Sequence, residues 1–329
     1  MKPKILVTDA TYPEIIDYLS HSFEVEHNQA DQDYDESALI QKLQDKAGVF
    51  AYPTRRFAGP LFAACPQLKA VCNMAVGYNN IDLAAATAAG IMVTNTPDVL
   101  NETTADFGWT LMMAAARRVS ESEHFLRGGR WKRWRFNDFL GVDVHGSTLG
   151  IIGMGRIGQA IARRSIGFNM KVVYHNRSRL ASELEHAANN ATYLTLEACL
   201  READHVILAL PYSAQSHHLI GEAQLAMMKP TATLVNIARG GIVDDAALIT
   251  ALKAGVIAAA GIDVFENEPA FNPEFLSLTN VALTPHIGSA SISTRLAMAY
   301  CAADNLIAAM TGKRPPNLLN PETVPHPHQ

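Results

Sequence analysis

Short β-rich runs alternate with amphipathic segments almost from end to end of this chain: KILV then PEIIDYL, AGVFAY then PLFAAC, LKAVCNM then NIDLAAATAAG, then IMVTNT. This alternation predicts βα units and parallel sheets with helices on both faces. The rhythm changes around Pro97, where NETTADFGWTLMMAAARRVSESEHFLRGG reads as one long helix, opened by an Asn101 cap and closed by Gly128 and Gly129. A second series follows: STLGIIG, RIGQAIARRSIGF, MKVVYHN, HVILALP, TATLVNIA, DDAALITALKAG, AAAGIDV and VALT, then a long helix over about 291–310. At roughly 100–200 residues per domain, 329 residues suit two domains. The expected fold class is α/β, with one doubly wound domain before the long helix and a second over about 101–285.

Composition narrows the function. A formal net charge of -5 and a pI near 6.2 give no reason to expect nucleic acid or an anionic membrane as partner. No apolar run reaches the ~18 residues of a bilayer span, since GVIAAAGIDVF is broken by Asp263. MKPKILVTDA passes from lysines straight into a short strand without a signal-peptide pattern, so a cytoplasmic location is expected. Cys65, Cys72, Cys199 and Cys301 form no CxxC pair and have no nearby histidine at zinc-ligand spacing; reduced, mostly buried thiols and no metal are expected. The segment RGGRWKRWRF interleaves five basic residues with two tryptophans, and as a single short patch in an acidic chain it reads as an interface, not a nucleic-acid surface. The proline-rich tail KRPPNLLNPETVPHPHQ is expected to be extended, with its two histidines solvated.

GIIGMGRIGQAIARR carries Gly153, Gly155 and Gly158 in a G-x-G-x-x-G, with Arg156 and Ile157 between the last two. Glycines also mark any tight βα turn, but these directly follow a strand and open a helix. There the first permits the turn, the second lets a pyrophosphate approach the backbone, and the third lets the helix pack close. Free N–H groups at the helix start then face a diphosphate. The next strand, KVVYHN, ends where an NAD enzyme would place Asp or Glu on the ribose 2′-hydroxyl. Here that place holds Asn176, followed by Arg177 and Ser178. A guanidinium fork and a hydroxyl suit the 2′-phosphate that a carboxylate would repel. The expected coenzyme is NADPH, with NADH used at lower efficiency.

Three further stretches end strands on the same side: NIARGGIVDD with Arg239, AGIDVFENEP with Asp263 and Glu268, and TPHIGSA with His286 and Ser289. Each alone has a bland explanation as turn, solvated carboxylate or structural histidine. Together they supply a carboxylate anchor, an acid/base and the group that tunes it.

With these motifs the chain resembles the D-2-hydroxyacid dehydrogenase family. NMAVGYNNID and GVDVHGSTLGIIGMGRIG are similar to its glyoxylate/hydroxypyruvate reductase branch, which includes 2-ketogluconate reductases. The resemblance covers nearly the whole chain. It implies two Rossmann-like parallel-sheet domains with a cleft between them: a substrate domain of residues 1–100 completed by 290–329, and an NAD(P)-binding domain of 101–289, with hinges near 97–101 and 289–291. It also implies a homodimer, with Trp131 or Trp134 reaching the neighbouring subunit's site. The family's catalytic Arg, Glu and His fall on Arg239, Glu268 and His286. Val76 and Gly77 match its carboxylate-binding loop, Asp263 the residue that takes the nicotinamide amide, and Ser289 a residue near the substrate. Thr104, Pro211, Ser216, Ala238 and Gly288 match further coenzyme contacts, while Tyr52 and Arg55 are expected to line the pocket.

The chemistry follows physically. Hydride arriving on a ketone leaves negative charge on its oxygen, so a proton donor must stand beside it. Protonated His286 is the expected donor, with Glu268 beside it to keep the imidazole charged. Arg239 pairs with the substrate carboxylate and stabilises the growing oxyanion. The leading expectation is reduction of glyoxylate and hydroxypyruvate to D-2-hydroxy acids. The alternatives are a 2-ketogluconate or bulky 2-ketoacid reductase, and a coenzyme-sensing binding protein, since transcriptional corepressors also use this fold.

Overall fold

The structure, a computed structural model, describes residues 2–324, which divide into two compact units, residues 2–100 with 291–324 and residues 101–290. Both are α/β units built on wholly parallel sheets.

The first unit holds β1 (Lys4–Val7), β2 (Glu24–His27), β3 (Gly48–Ala51), β4 (Ala70–Asn73) and β5 (Met92–Thr94), in the order β2-β1-β3-β4-β5. Strands β3 and β4 are buried throughout, because helices cover both faces of a parallel sheet. One face packs Leu6, Val49, Val71 and Val93 against Leu43, Phe57, Leu61 and Ala86. On the other lies the helix Ile292–Met310, capped by Ser291 Oγ on the Thr294 N–H. It sits so close to β3 that a Cβ on Gly48 would stand 2.8 Å from Leu306 Cδ1.

The segment after this helix is not simply extended. Residues 313–324 make turns and a short 3-10 helix, Pro321–Thr323, and are stitched to β5 by asparagines. Asn320 Oδ1 accepts the Val93 N–H at 2.8 Å, its Nδ2 donates to Ile91 O at 2.8 Å, and Leu319 N–H reaches Val93 O at 2.8 Å. Asn305 Nδ2 bonds Asn95 O at 3.2 Å and Asn317 Oδ1 at 3.1 Å. The Asn320 amide thus gives Val93 a partner that β5 lacks at its outer edge. The tail histidines, His326 and His328, lie outside the described residues.

The second unit holds β6 (Thr148–Ile152), β7 (Lys171–His175), β8 (Thr192–Tyr193), β9 (His205–Leu208), β10 (Thr233–Asn236), β11 (Ala259–Ile262) and β12 (Val281–Leu283). Their order, β12-β11-β10-β9-β6-β7-β8, reverses direction between β6 and β9, the switch point at whose carboxyl side doubly wound sheets bind ligands. The long helix expected after Pro97 is two helices, Asn101–Ala116 and Val119–Arg127, the first opening at Asn101 itself. Arg118 breaks it in the left-handed conformation, φ 53° and ψ 36°, and its guanidinium bonds Glu121 at 2.7 and 2.9 Å and Leu140 O at 3.3 Å. The Ala116 carbonyl thus freed accepts the Val142 N–H at 2.9 Å. The second helix closes at Gly128, with Gly129 at positive φ.

Cys65, Cys72 and Cys199 are buried and Cys301 half-buried, all as free thiols. Among the described residues no helix is long and apolar enough to cross a membrane.

Candidate active site

Strand β6 ends at Ile152 and the chain turns at Gly153, whose φ of 101° lies in the region open to glycine. A Cβ there would stand 2.6 Å from Ala209 O, and one at Gly158 2.3 Å from Gly153 O. These two glycines are therefore required by the turn and by the helix Arg156–Arg164 seated on it. Gly155 is different: a Cβ there would meet nothing within 4 Å, so the fold itself does not require glycine. A bare backbone beside the N–H groups of a helix start fits a diphosphate.

Half-buried Asn176, just beyond β7, buttresses this turn from behind, its Oδ1 accepting the Met154 N–H at 3.0 Å. Its carboxamide oxygen is thus engaged by the glycine loop, whereas Arg177 and Ser178 stand exposed. The base of their turn is fixed by buried Glu185, which takes Arg179 Nε at 2.9 Å and Nη2 at 2.8 Å and the Tyr174 hydroxyl at 2.7 Å. Tyr174 Oη in turn accepts the Leu180 N–H at 2.8 Å. The Arg179 and Tyr174 hydrogen bonds pull the Glu185 carboxyl down from 4.5 to about 2. A depressed carboxyl contributes stability that is present above its unfolded value and lost as pH falls through its folded one. Glu185→Gln should therefore lower Tm at pH 7, and calorimetry should show its deficit shrinking as pH falls from about 4.5 toward about 2. A deficit constant with pH would assign the loss to packing.

At the end of β10, Asn236 is 2% exposed and brackets the next turn. Its Oδ1 accepts the Ala238 N–H at 3.0 Å and its Nδ2 donates to Arg239 O at 3.1 Å. Nothing in the sequence singled it out, although Asn before a turn that leaves a strand is the usual residue for such self-capping. Half-buried Arg239 donates from Nη1 to Ala238 O at 2.6 Å. Burial pushes its guanidinium below the ordinary value, while the Glu268 charge pulls the other way.

Asp263, 1% exposed just beyond β11, binds the turn that carries His286. Its Oδ1 accepts the Thr284 hydroxyl at 2.7 Å and the Ile287 N–H at 2.8 Å, and its Oδ2 the Gly288 N–H at 2.9 Å. Burial raises its carboxyl above the ordinary value, and these bonds and the His286 charge oppose the rise. His286 itself sits at φ 54°, its N–H shared between Asp263 O at 2.9 Å and Thr284 O at 3.1 Å. Few side chains hold this conformation, and it costs on the order of 1–3 kcal/mol when the surroundings enforce it. It aims His286 Nδ1 at Glu268 Oε2, 2.8 Å away. Glu268 Oε1 accepts the Phe265 N–H at 2.7 Å. Burial alone would raise the Glu268 carboxyl, but the His286 bond and charge, the Phe265 N–H and the Arg239 charge together hold it below its usual value. One anionic carboxylate thus serves both the imidazole and the guanidinium.

Of the remaining expected contacts in this unit, Thr104 is buried, with its methyl 3.7 Å from where a Cβ on Gly288 would stand. Ser216 is spent within its own loop, its Oγ accepting the Ser213 N–H at 2.7 Å and lying 3.1 Å from Pro211 O. Pro211 is exposed and Ser289 half-buried. Trp131 and Trp134 are 56% and 73% exposed, in a segment that also exposes Phe136 and Leu140.

In the first unit, the Val76 and Gly77 carbonyls are taken by Asn95 Nδ2 at 2.9 Å and Asn73 Nδ2 at 3.0 Å, which holds that loop from its carbonyl side. Arg55 does not present a free guanidinium: at 8% exposure it is divided among Asp9 at 3.0 Å, Asp33 at 3.4 Å and Gln32 O at 3.2 Å. Its charge is neutralised locally, and these bonds anchor the loop. Burial pushes the Tyr52 phenol up to about 12, which keeps it a neutral hydroxyl.

Comparison with known proteins gives the family. A family model described as D-isomer specific 2-hydroxyacid dehydrogenase, NAD binding domain, matches residues 109–288. Glyoxylate reductase of Thermococcus gammatolerans is 49% identical over 328 residues, covering 98% of each chain. That of Pyrococcus furiosus is 48% identical, covering 98% of this chain and 97% of its own. Among solved structures, an NADPH-dependent glyoxylate/hydroxypyruvate reductase of Sinorhizobium meliloti, in complex with NADP and malonate, matches at a TM-score of 0.88 and 35% identity, covering 100% of both chains.

Proposed function

Because the chain belongs to the D-isomer specific 2-hydroxyacid dehydrogenase family, we propose that it reduces small 2-ketoacids, glyoxylate and hydroxypyruvate foremost, to D-2-hydroxy acids with NADPH. The observation that carries this reading is the Glu268 carboxylate, 2.8 Å from His286 Nδ1 and electrostatically coupled to Arg239.

The bound coenzyme supplies the hydride. The backbone at Gly155 and the start of Arg156–Arg164 would hold its diphosphate, with Ile157, Thr104, Pro211, Ala238 and Gly288 beside it and Asp263 available to its amide. Arg239 orients the 2-ketoacid through its carboxylate and stabilises charge on the carbonyl oxygen. Anionic Glu268 accepts from His286 Nδ1–H, which leaves Nε2 as the nitrogen that delivers the proton to that oxygen. Ser289, three residues beyond His286, lies near the substrate. The exposed segment bearing Trp131 and Trp134 is the surface proposed for a homodimer.

Coenzyme choice rests on Arg177 and Ser178 standing exposed where a carboxylate would select NAD. A charge-assisted hydrogen bond contributes roughly 1.5–3 kcal/mol, so Arg177→Ala should raise KM for NADPH about 10- to 150-fold and leave NADH nearly untouched. Equal losses with both coenzymes would refute the assignment. The whole reading is tested by turnover on glyoxylate, hydroxypyruvate, phenylpyruvate and 2-ketogluconate with NADPH and NADH. Preference for either of the last two substrates keeps the chemistry and changes the pocket; absence of coenzyme oxidation with all four revives the sensing protein.

A further inference from the structure

Three side chains of the second unit that this reaction does not use, His217, His218 and Glu266, bring ligand atoms within 4.8 Å of one another. The two imidazoles stack, with centroids 3.9 Å apart and planes at 23°. His218 Nε2 lies 2.5 Å from Glu266 Oε1, and its Nδ1 faces Asp244 Oδ2 at 3.8 Å. His217 Nδ1 meets the Tyr212 hydroxyl at 3.2 Å. The group is fixed by backbone as well as by side chains: His218 sits at φ 50° with its N–H on Gly241 O at 2.7 Å, and the Glu266 N–H is held by Asp245 Oδ2 at 3.1 Å.

We propose that His217, His218 and Glu266 form a site for one divalent transition-metal ion of the zinc class, with water completing the shell. Two imidazoles with one carboxylate favour such an ion over magnesium or calcium, which take oxygen ligands. The ion takes the place of the proton between His218 Nε2 and Glu266 Oε1. Side-chain rotation then brings the three donors to about 3.4 Å apart, the separation set by bonds of ~2.1 Å in a tetrahedron. On His218 the ring nitrogen away from Glu266 faces the Asp244 carboxylate, the kind of outer group that orients an imidazole in metal sites. All three ligands have solvent access. Sequence spacing conceals the set, since two ligands are adjacent and the third is 48 residues beyond His218.

The test is a calorimetric titration of Zn2+ into the chelator-treated full chain. One equivalent per chain is expected, with His217→Ala and Glu266→Gln each weakening binding at least about 10-fold, at circular dichroism spectra and melting temperatures matching the wild type without metal. Co2+ in place of zinc should give ligand-field bands without thiolate charge transfer, which excludes the four cysteines as the source. Absence of stoichiometric binding at micromolar Zn2+, undiminished binding in either variant, or a thiolate band would overturn the site. His217→Gln replaces the alanine variant if that one is unstable. Coenzyme turnover plays no part in the readout, so the outcome is independent of the proposed reduction.

Discussion

Replacing His286 with asparagine should lower kcat on glyoxylate by about 10²–10⁴-fold, the usual contribution of a positioned proton donor, while the Kd for NADPH is unchanged. Asparagine is chosen over alanine because of the backbone. At φ 54° the residue occupies the left-handed region, which asparagine tolerates and alanine does not, so His286→Asn removes the imidazole with the least disturbance of the turn that Asp263 holds. His286→Ala would mix loss of the proton with a shift of the 284–288 backbone. Single-turnover kinetics with bound NADPH separates chemistry from binding. A rate close to the wild type removes His286 from the mechanism.

Arg239→Met should lower kcat/KM for glyoxylate by about 10²–10⁴-fold, because a bidentate pair with the substrate carboxylate comprises two charge-assisted bonds of roughly 1.5–3 kcal/mol each. Arg239→Lys should recover only part of this, since an ammonium keeps the charge and loses the fork. The role of the guanidinium is read by comparing glyoxylate with its methyl ester: the wild type discriminates strongly between them and Arg239→Met should not. Discrimination that persists in the methionine variant would place the carboxylate elsewhere. A further effect is expected at Glu268, whose carboxyl is held down in part by the Arg239 charge; losing it removes one of the influences that keep this group anionic beside His286.

How much of this was legible in the sequence depends on which physical signal each feature leaves. Strands buried on both faces, such as β3, β4 and β9, appear as short apolar runs, and the motifs NIARGG, GIDVFENEP and TPHIGSA stand at strand ends where chemistry is expected. The edge strands β2 and β8 leave no such run: EVEH and TY are half solvated, as edges that must not pair with other chains tend to be. The break at Arg118 was invisible because no glycine or proline marks it; the left-handed residue is held by tertiary contacts of its own guanidinium. Arg55 looked available for the same reason, since no sequence pattern shows that Asp9 and Asp33 converge on it. The amides of Asn236, Asn305 and Asn320 are buried and fully employed, yet asparagine in a sequence usually announces solvent or a turn. Residue type marked the candidate chemistry, whereas a support such as Asp263 is set by partners 21 to 25 residues away that no local pattern announces.

The asparagine stitching of residues 313–324 onto β5 implies an order of assembly. During synthesis the ribosome releases residues 101–290, a contiguous stretch with all seven of its strands, before it has made the helix and the amides that the N-terminal sheet needs. The middle of the polypeptide can therefore condense while the segment made first still waits for its final pieces, so the nascent N-terminal hundred residues are the stretch most in need of shelter from misassociation.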